Sequence, residues 1–477
     1  MLLDADACYR ALATHDPRFD GHFFVGVRST RIYCRPVCTV RMPRRENCRF
    51  YPSAPAAERD GFRPCLRCRP ELAPGFAAVD ASARVVQAAV THIDDGFLED
   101  RSLEALAKRV GVTSRHLRRV FESELGVSPV EYAQTQRLLL AKRLLTDTSM
   151  PVTDVAFASG FSSVRRLNAL FSERYRMAPS RLRAADANRG DALRFTLAYR
   201  APYAWDATLA FFARRAIEGV EDCDRARVRR ALALTHRGER HAGWIEVSHL
   251  RSRNALRVSV SRSLSRVVPQ VLARVRHAFD LTCDPAEVAR VLGPLAAANP
   301  GVRVPGGFDA FEVGVRAIAG QQVSVRMMVV LLGRIATRYG LPLDDAPGGL
   351  RVAFPDASTL AAAGVDEIAS LGMPKSRART IVALAGAVAG GLDLSPNADV
   401  EATLADLQRI PGIGPWTAQY IALRGMGWPD AFLPGDLGVK RALGESSEAK
   451  VLAYADQWRP WRAYAVIHLW NRNGEAK

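Results

Sequence analysis

Two glycines, Gly412 and Gly414, stand one residue apart between two helical patterns, and this corner constrains the chain more than any other stretch. The run Leu407-Gln-Arg-Ile-Pro-Gly-Ile-Gly-Pro-Trp-Thr-Ala-Gln-Tyr420 passes from helix to helix within a few residues, so it must turn sharply. Glycine there tolerates a left-handed φ and lets bare backbone come close to a ligand. The amides that open the second helix lack intrahelical acceptors, so an anion suits the corner, a phosphate above all. An apolar run through Met426 follows, then Ala-Phe-Leu-Pro-Gly-Asp436, whose Pro434 and Gly435 place Asp436 in a loop. Two readings fit equally well. In one, the hairpin holds a DNA backbone while Asp436 acts on a nucleotide. In the other, this is an ordinary helical corner with Asp436 as a cap.

The chain has 477 residues, more than one core can organise, which implies three or four domains. No apolar run reaches the ~20 residues of a membrane helix. The start, Met-Leu-Leu-Asp-Ala-Asp, has early acids and no basic region, so a secretory signal is not expected and a cytoplasmic protein is. A net charge of +17 points to a polyanionic partner. Only six of the 66 basic residues are Lys, however, which with the abundance of Ala looks partly like GC-rich coding. Charge alone does not decide for nucleic acid.

Six of the eight cysteines lie in the first 68 residues. In a reducing compartment such clustering favours metal or reactive thiolates over disulfides. Cys34 and Cys38 form one pair and Cys65 and Cys68 another, and soft thiolates at these spacings suit tetrahedral Zn2+. Arg31, Arg35, Arg41, Arg44, Arg45 and Arg49 flank the first pair; Arg63, Arg67 and Arg69 flank the second. About 70 residues bury little core, so the segment is expected to need its metal. A purely structural zinc knot and a reactive one are both open at this stage. Four thiolates on one Zn2+ leave a net negative complex, whose sulfur is a good nucleophile towards methyl groups. Cys48 lies outside the quartet and is expected to be a buried thiol.

The stretches Tyr33-Cys-Arg-Pro-Val-Cys38, Arg45-Glu-Asn-Cys-Arg-Phe-Tyr51 and Phe62-Arg-Pro-Cys-Leu-Arg-Cys68 resemble the methylphosphotriester-sensing domain of Ada-type adaptive-response regulators, over nearly all of residues 1–72. The resemblance implies one zinc ion, structural and reactive at once. It makes Cys34 the acceptor of a methyl group from a methylated DNA phosphate. Turning thiolate into thioether removes one negative charge, so repulsion from phosphates falls and DNA affinity rises.

Residues 103–121 form an amphipathic helix, a turn at Gly111 and a second helix; residues 155–171 repeat the plan around Gly160. Phe121 and Phe171 are 50 apart, as are Pro129 and Pro179, which marks a duplicated unit. The second helices begin with the N-cap candidates Thr113-Ser114 and Ser162-Ser163. They offer Ser114, Arg115, His116, Arg118 and Arg119 in one unit, and Ser163, Arg165, Arg166 and Asn168 in the other. Such helices fit the major groove, where Arg reads guanine and Asn reads adenine. A bland helical bundle with solvated arginines fits the same pattern. With Gly126-Val-Ser-Pro129 and Met177-Ala-Pro179 added, the segment resembles the AraC-type DNA-binding domain. No Pro-Cys-His-Arg motif occurs, so transfer from O6-alkylguanine is not expected.

Arg189-Gly190-Asp191 reads as a linker. Leu193–Tyr199, Gly243–Leu250 and Ala255–Ser261 alternate like half-buried strands, and Asp206–Ile217 is helical in pattern. Nothing in this segment carries chemistry by itself, and Cys223 and Cys283 are expected to be inert. Further on come Asp309 to Val325 with its Gln321-Gln322 pair, the turn Leu371-Gly-Met-Pro-Lys-Ser, the glycine hairpin, and Trp458 to Trp470. From about residue 191 to the C-terminus, these resemble the 3-methyladenine DNA glycosylase II (AlkA) family of the helix-hairpin-helix superfamily.

That resemblance implies Asp436 as the catalytic aspartate, with Gln321, Trp416, Tyr420 and Trp470 in a base pocket. It implies backbone contact at Gly412 and Gly414, and it places Gln322 where a leucine wedge fills the space of a flipped nucleotide. Each aromatic also fits a packed core. An N3- or N7-alkylated purine is cationic, leaves readily and stacks on aromatic walls. A carboxylate then faces the oxocarbenium-like sugar. Members that also cut the strand use a lysine where Trp416 stands, so base removal alone is expected, and no iron–sulfur cluster.

The fold class expected is therefore multidomain and mainly α. A zinc-bound α+β domain (1–72) precedes an all-α double helix-turn-helix domain (80–185), an α+β domain (191–300) and an all-α helix-hairpin-helix glycosylase domain (301–477). The function expected is excision of alkylated bases fused to a methyl-sensing transcriptional regulator. The alternative is a regulator whose second half only clamps DNA. Expected partners are damaged and promoter double-stranded DNA and RNA polymerase, with no membrane.

Overall fold

The computed structural model describes residues 4–74, 81–94, 96–99, 101–148, 150–182, 192–236, 238–396 and 398–472. The expected linker Arg189–Asp191 lies outside the described residues. The chain is mainly helical and divides into two compact units. One comprises Met1–Ala201, Leu250–Ala273 and Leu281–Cys283; the other comprises Pro202–His249, Arg274–Asp280 and Asp284–Lys477. No helix among the described residues is long and apolar enough to cross a membrane.

The first unit opens with a four-stranded sheet whose centre is Phe24–Val27. That strand pairs antiparallel with Ile32–Cys34 and with Cys48–Tyr51, and Arg63–Pro64 joins the free edge of Ile32–Cys34 in parallel. The short helix Ala54–Arg59 lies between the last two strands, capped by Ser53 and started by Pro55. Its apolar residues Ala54, Ala56 and Ala57, with Phe24, Tyr33, Tyr51 and Phe62, belong to one buried cluster that includes Leu106, Leu117, Phe121 and Leu125. The cysteine-rich segment thus shares a core with the helical segment after it. This corrects the expectation that it has little but a metal to hold it.

The two helix-turn-helix units run Leu103–Arg109 to Ser114–Leu125 and Val152–Ala158 to Val164–Tyr175, joined by the long helix Pro129–Asp147. Thr113 and Ser163 cap the second helices, through the amides of His116 and Arg166. Ser128 and Glu131 form a capping box ahead of the long helix. At Gly160 φ is +81° and an added Cβ would sit 2.6 Å from Glu99 Oε1, so a side chain there would be strained and would displace the Glu99 carboxylate. The strand Ala192–Ala198 pairs antiparallel with Ala255–Ser261.

In the second unit Arg227–His236 pairs antiparallel with Glu239–Leu250 on one side and with Glu221–Cys223 on the other. A buried ion network ties these strands to the helix Ala310–Ala319. Arg316 Nη2 meets Glu221 at 2.7 Å and Arg316 Nε meets Glu312 at 2.8 Å, while Arg230 bonds both carboxylates. Mutual pairing is what makes four buried charges tolerable. Val325–Tyr339, Lys375–Ala389 and Pro415–Arg424 pack on that helix, Val400–Gln408 packs on Pro415–Arg424, and Arg462–Arg472 packs on Leu437–Leu443.

Candidate functional site

The sulfurs of Cys34, Cys38, Cys65 and Cys68 all lie within 4.8 Å of one another. A tetrahedral ion with metal–sulfur bonds of about 2.3 Å sets sulfurs roughly 3.8 Å apart, so the quartet fits a metal with little movement. Cys34 ends a sheet strand and Cys65 follows one, which brings sequence-distant pairs together. Cys34, Cys38 and Cys65 are buried and Cys68 is half-buried. The Cys68 sulfur accepts the backbone N–H of Arg35 at 3.4 Å. Arg35 is locked beside the site by Asp20. Cys48 is buried in a separate apolar cluster with Cys8, as its position outside the quartet implied.

On the second helices, Arg115, Arg118, Arg119, Arg165, Arg166 and Asn168 are exposed, and Ser114, His116 and Ser163 are half-buried. Arg119 Nη2 lies 3.0 Å from His116 Nδ1 on the same helix, and Arg118 lies 3.9 Å from Glu104 of Leu103–Arg109. Ser163 spends its hydroxyl on the cap.

The glycine hairpin joins Val400–Gln408 to Pro415–Arg424. Gly412 has φ +93°, and a Cβ there would meet Thr380 Oγ1 at 2.1 Å. That hydroxyl is fixed by its own bond to Pro411 O at 2.8 Å. Gly414 differs from expectation: its φ is −88° and a Cβ would meet nothing, so only bare backbone is gained there. No side chain caps the helix that begins at Pro415, and Gly412, Gly414 and Pro415 are exposed. Gln321 lies against this corner. Its Nε2 donates to Gly412 O at 3.0 Å and Thr417 Oγ1 at 3.1 Å, leaving its carbonyl for any pocket role. Gln322 is exposed with φ +57°, a costly conformation for a residue with a side chain.

Asp436 caps the helix Leu437–Leu443, its Oδ1 accepting from Val439 N at 3.0 Å. It also accepts the indole N–H of Trp416 at 3.1 Å and of Trp470 at 2.9 Å. The Trp416 and Tyr420 rings stack at 5.1 Å with 19° between planes, and Tyr420 and Trp470 stand 6.5 Å apart at 38°. All three rings are half-buried, so none is simply core. The carboxylate that caps the helix is thus also the one that the two indoles hold.

Behind Tyr420 the structure adds residues the sequence did not single out. Arg424 Nη1 donates to Tyr420 Oη at 2.8 Å, and its Nε donates to Pro305 O at 2.8 Å. Phe211 lies under both Arg424 and Arg215, at 4.6 and 3.8 Å. Burial pushes the Arg215 guanidinium down to about 10. Burial also pushes the Tyr420 phenol up, but Arg424 and Arg215 outweigh it and hold the phenol below its ordinary 10.0. The segment 191–300 therefore contributes to this site after all.

Four family profiles match the chain in series. Residues 7–71 match the metal binding domain of Ada, 106–185 a helix-turn-helix domain, 194–309 the AlkA N-terminal domain, and 315–450 the HhH-GPD superfamily of base excision DNA repair proteins. A probable bifunctional transcriptional activator/DNA repair enzyme AlkA of Mycobacterium tuberculosis is 36% identical over 98% of this chain and 96% of its own length. The chain belongs to that family of bifunctional AlkA proteins. It joins an Ada-type regulator to a DNA glycosylase. The glycosylase half of this family member is 42% identical to DNA-3-methyladenine glycosylase 2 of Escherichia coli, over 59% of this chain and 98% of that one. Its fold is also that of a 3-methyladenine DNA-glycosylase from Archaeoglobus fulgidus, with TM-score 0.50 and 22% identity over 58% of this chain and 98% of the other.

Proposed function

We propose that this bifunctional AlkA protein removes alkylated purines from duplex DNA by hydrolysis of the N-glycosidic bond, with Asp436 as the catalytic carboxylate. One observation carries the reading: the carboxylate that two tryptophans hold is bordered by the stacked face of Trp416 and Tyr420. An electron-poor base stacks on such rings. As its glycosidic bond breaks, the bonding pair stays on the base nitrogen and the sugar becomes cationic, facing Asp436. Water adds to the anomeric carbon, gives its proton to Asp436 and leaves an abasic site in an intact strand. Arg424 divides its donors between the Tyr420 hydroxyl and the Pro305 and Gly306 carbonyls, so it braces the pocket wall from behind. The hairpin amides and Gly412 hold a phosphate, and Gln322, exposed at its turn, fills the gap left by the flipped nucleotide.

In the amino-terminal half, the reading is one Zn2+ on the four cysteines and methyl transfer from a DNA phosphotriester to Cys34. A metal bound there keeps the sulfurs as thiolates at neutral pH. The sulfur of Cys34 attacks the methyl carbon, the carbon–oxygen bond breaks, and the phosphodiester leaves as an anion. The methylated chain then binds promoter DNA through its second helices and engages RNA polymerase. The four domains divide as 1–72, 80–185, 191–300 and 301–477, and the protein works in the bacterial cytoplasm.

Base-release profiling on duplexes with defined alkylated bases tests the enzyme. Release by wild type and its loss in Asp436→Asn is the expected result. No release from any lesion by wild type would overturn it in favour of a DNA clamp.

A further inference from the structure

One buried carboxylate in the first unit serves neither the metal quartet nor a DNA-facing surface. Glu58 is 3% exposed, and three hydroxyls converge on it. Tyr33 Oη and Tyr175 Oη donate to its Oε1 at 3.0 and 3.3 Å, and Thr135 Oγ1 donates to its Oε2 at 3.5 Å. Tyr33 immediately precedes Cys34 on its strand. Tyr175 is the last residue of the second DNA-reading helix, and Thr135 belongs to the long helix between the two helix-turn-helix units.

The helix that carries Glu58 also reaches the first DNA-reading helix. Ser53 Oγ donates to Leu125 O, at that helix's C-terminus, and Arg59 Nη1 lies 3.2 Å from Glu122 Oε1. A Cβ on Gly126, the residue that ends the same helix, would stand 3.3 Å from the Ala56 Cβ. A helix of six residues therefore touches the C-terminal ends of both second helices. Two units joined by one long helix read two stretches of one groove, and the spacing they read depends on the angle between their second helices. Burying a carboxylate costs free energy unless its lone pairs are met. An apolar residue would fill the space more cheaply, but it would hold nothing at a fixed direction.

We infer that Glu58 is a positioning residue for sequence recognition: with Ser53 and Arg59 it locks the angle and spacing of the two DNA-reading helices against the segment that carries Cys34. This rests on the reading of those helices as DNA readers. Glu58→Gln weakens the hub, and Tyr175→Phe removes a single hydroxyl while keeping the ring that packs on Phe171.

The test is selection of bound sites from a random duplex library by the full-length, zinc-loaded wild type and both variants, each first methylated on a methylphosphotriester-containing duplex. Melting temperature, zinc content and base release are measured alongside. The expected result is that both variants keep zinc and base release, and still enrich each half of the wild-type site. They lose the fixed spacing between the halves, and affinity for the wild-type site falls about tenfold in Glu58→Gln. Should Glu58→Gln fail to fold, Tyr175→Phe carries the same test. Identical sites, spacing and affinity in folded variants overturn the positioning role. A wild type that enriches no sequence at all overturns instead the reading of the helices as DNA readers.

Discussion

The indole nitrogen of Trp470 lies 2.9 Å from Oδ1 of Asp436, joining residues 34 positions apart in the chain. Trp416 grips the other oxygen from the first turn after the glycine hairpin, and the Val439 amide shares Oδ1. Three donors from three elements leave this carboxylate one orientation. A group that must face a transient cation gains most when it does not have to turn to meet it.

Asp436→Asn separates the two duties of that side chain. Asn caps helices about as well as Asp, but its NH2 must face the Trp416 indole N–H, so the melting temperature should fall by a few degrees without loss of the fold. Loss of the negative charge should slow base release by about 10²–10³-fold. Single-turnover release on one defined lesion, beside thermal melting, gives both numbers.

Trp470→Phe keeps a ring beside Tyr420 but removes the donor to Oδ1. A hydrogen bond to a charged group is worth about 1.5–3 kcal/mol, so release should slow roughly tenfold or more while lesion binding changes little. An unchanged rate would show that the indole only packs.

At Gly412 the strain is double. Ala there must hold φ +93° and push aside a Thr380 hydroxyl anchored on Pro411. Gly412→Ala should cost about 2 kcal/mol or more and weaken binding to any duplex. Gly414→Ala, with an extended φ and open space, should leave stability unchanged and act only through DNA affinity. Denaturant titration and anisotropy on the pair distinguish the two.

Elemental analysis should find one zinc per chain. Stripping it should lower the melting temperature of the first unit without erasing its helical signal, because Phe24, Tyr33 and Phe62 share a core with Leu117 and Phe121. Base release should survive the chelator. A chain whose helical signal collapses on chelation would contradict the shared-core account.

Buried His468 has its imidazole pushed down from 6.5 to about 4 by burial. The unfolded chain therefore takes up this proton before the folded one does. The resulting loss of stability accumulates as pH falls from 6.5 to about 4 and approaches roughly 3 kcal/mol. Asp280, pushed up by burial to about 6, works in the opposite direction, so the comparison must be with His468→Phe. Denaturation midpoints of the variant should fall less on acidification than those of wild type.

Local pattern carried much of this protein. The paired cysteines, the duplicated turns at Gly111 and Gly160, and the Leu-Pro-Gly-Asp436 loop are each short-range signals, and each stands in the structure as the pattern implied. The strand Arg227–His236 was missed because Arg229-Arg230 interrupts its alternation; Arg230 is buried, and its charge is met by Glu221 and Glu312. Phe211 and Arg215 gave no signal because their meaning depends on Tyr420, some 200 positions later. Gln321 was legible as a polar residue ending a helix, but not as a brace for the hairpin.

The sequence by itself determined the chemistry available: four soft ligands, a glycine that must turn left-handed, a carboxylate in a loop and a set of aromatic rings. Those follow from residue type and spacing along a few turns of chain. Only the tertiary structure decided which of them meet. Trp416 and Trp470 both find Asp436, Arg424 turns onto Tyr420, and Glu58 gathers three hydroxyls from three elements. Hydrogen bonds act over about 3 Å, whereas, apart from Tyr420 and Arg424 one turn apart on one helix, the residues that make these are tens of positions apart. Their pairing therefore belongs to the fold and not to any local stretch.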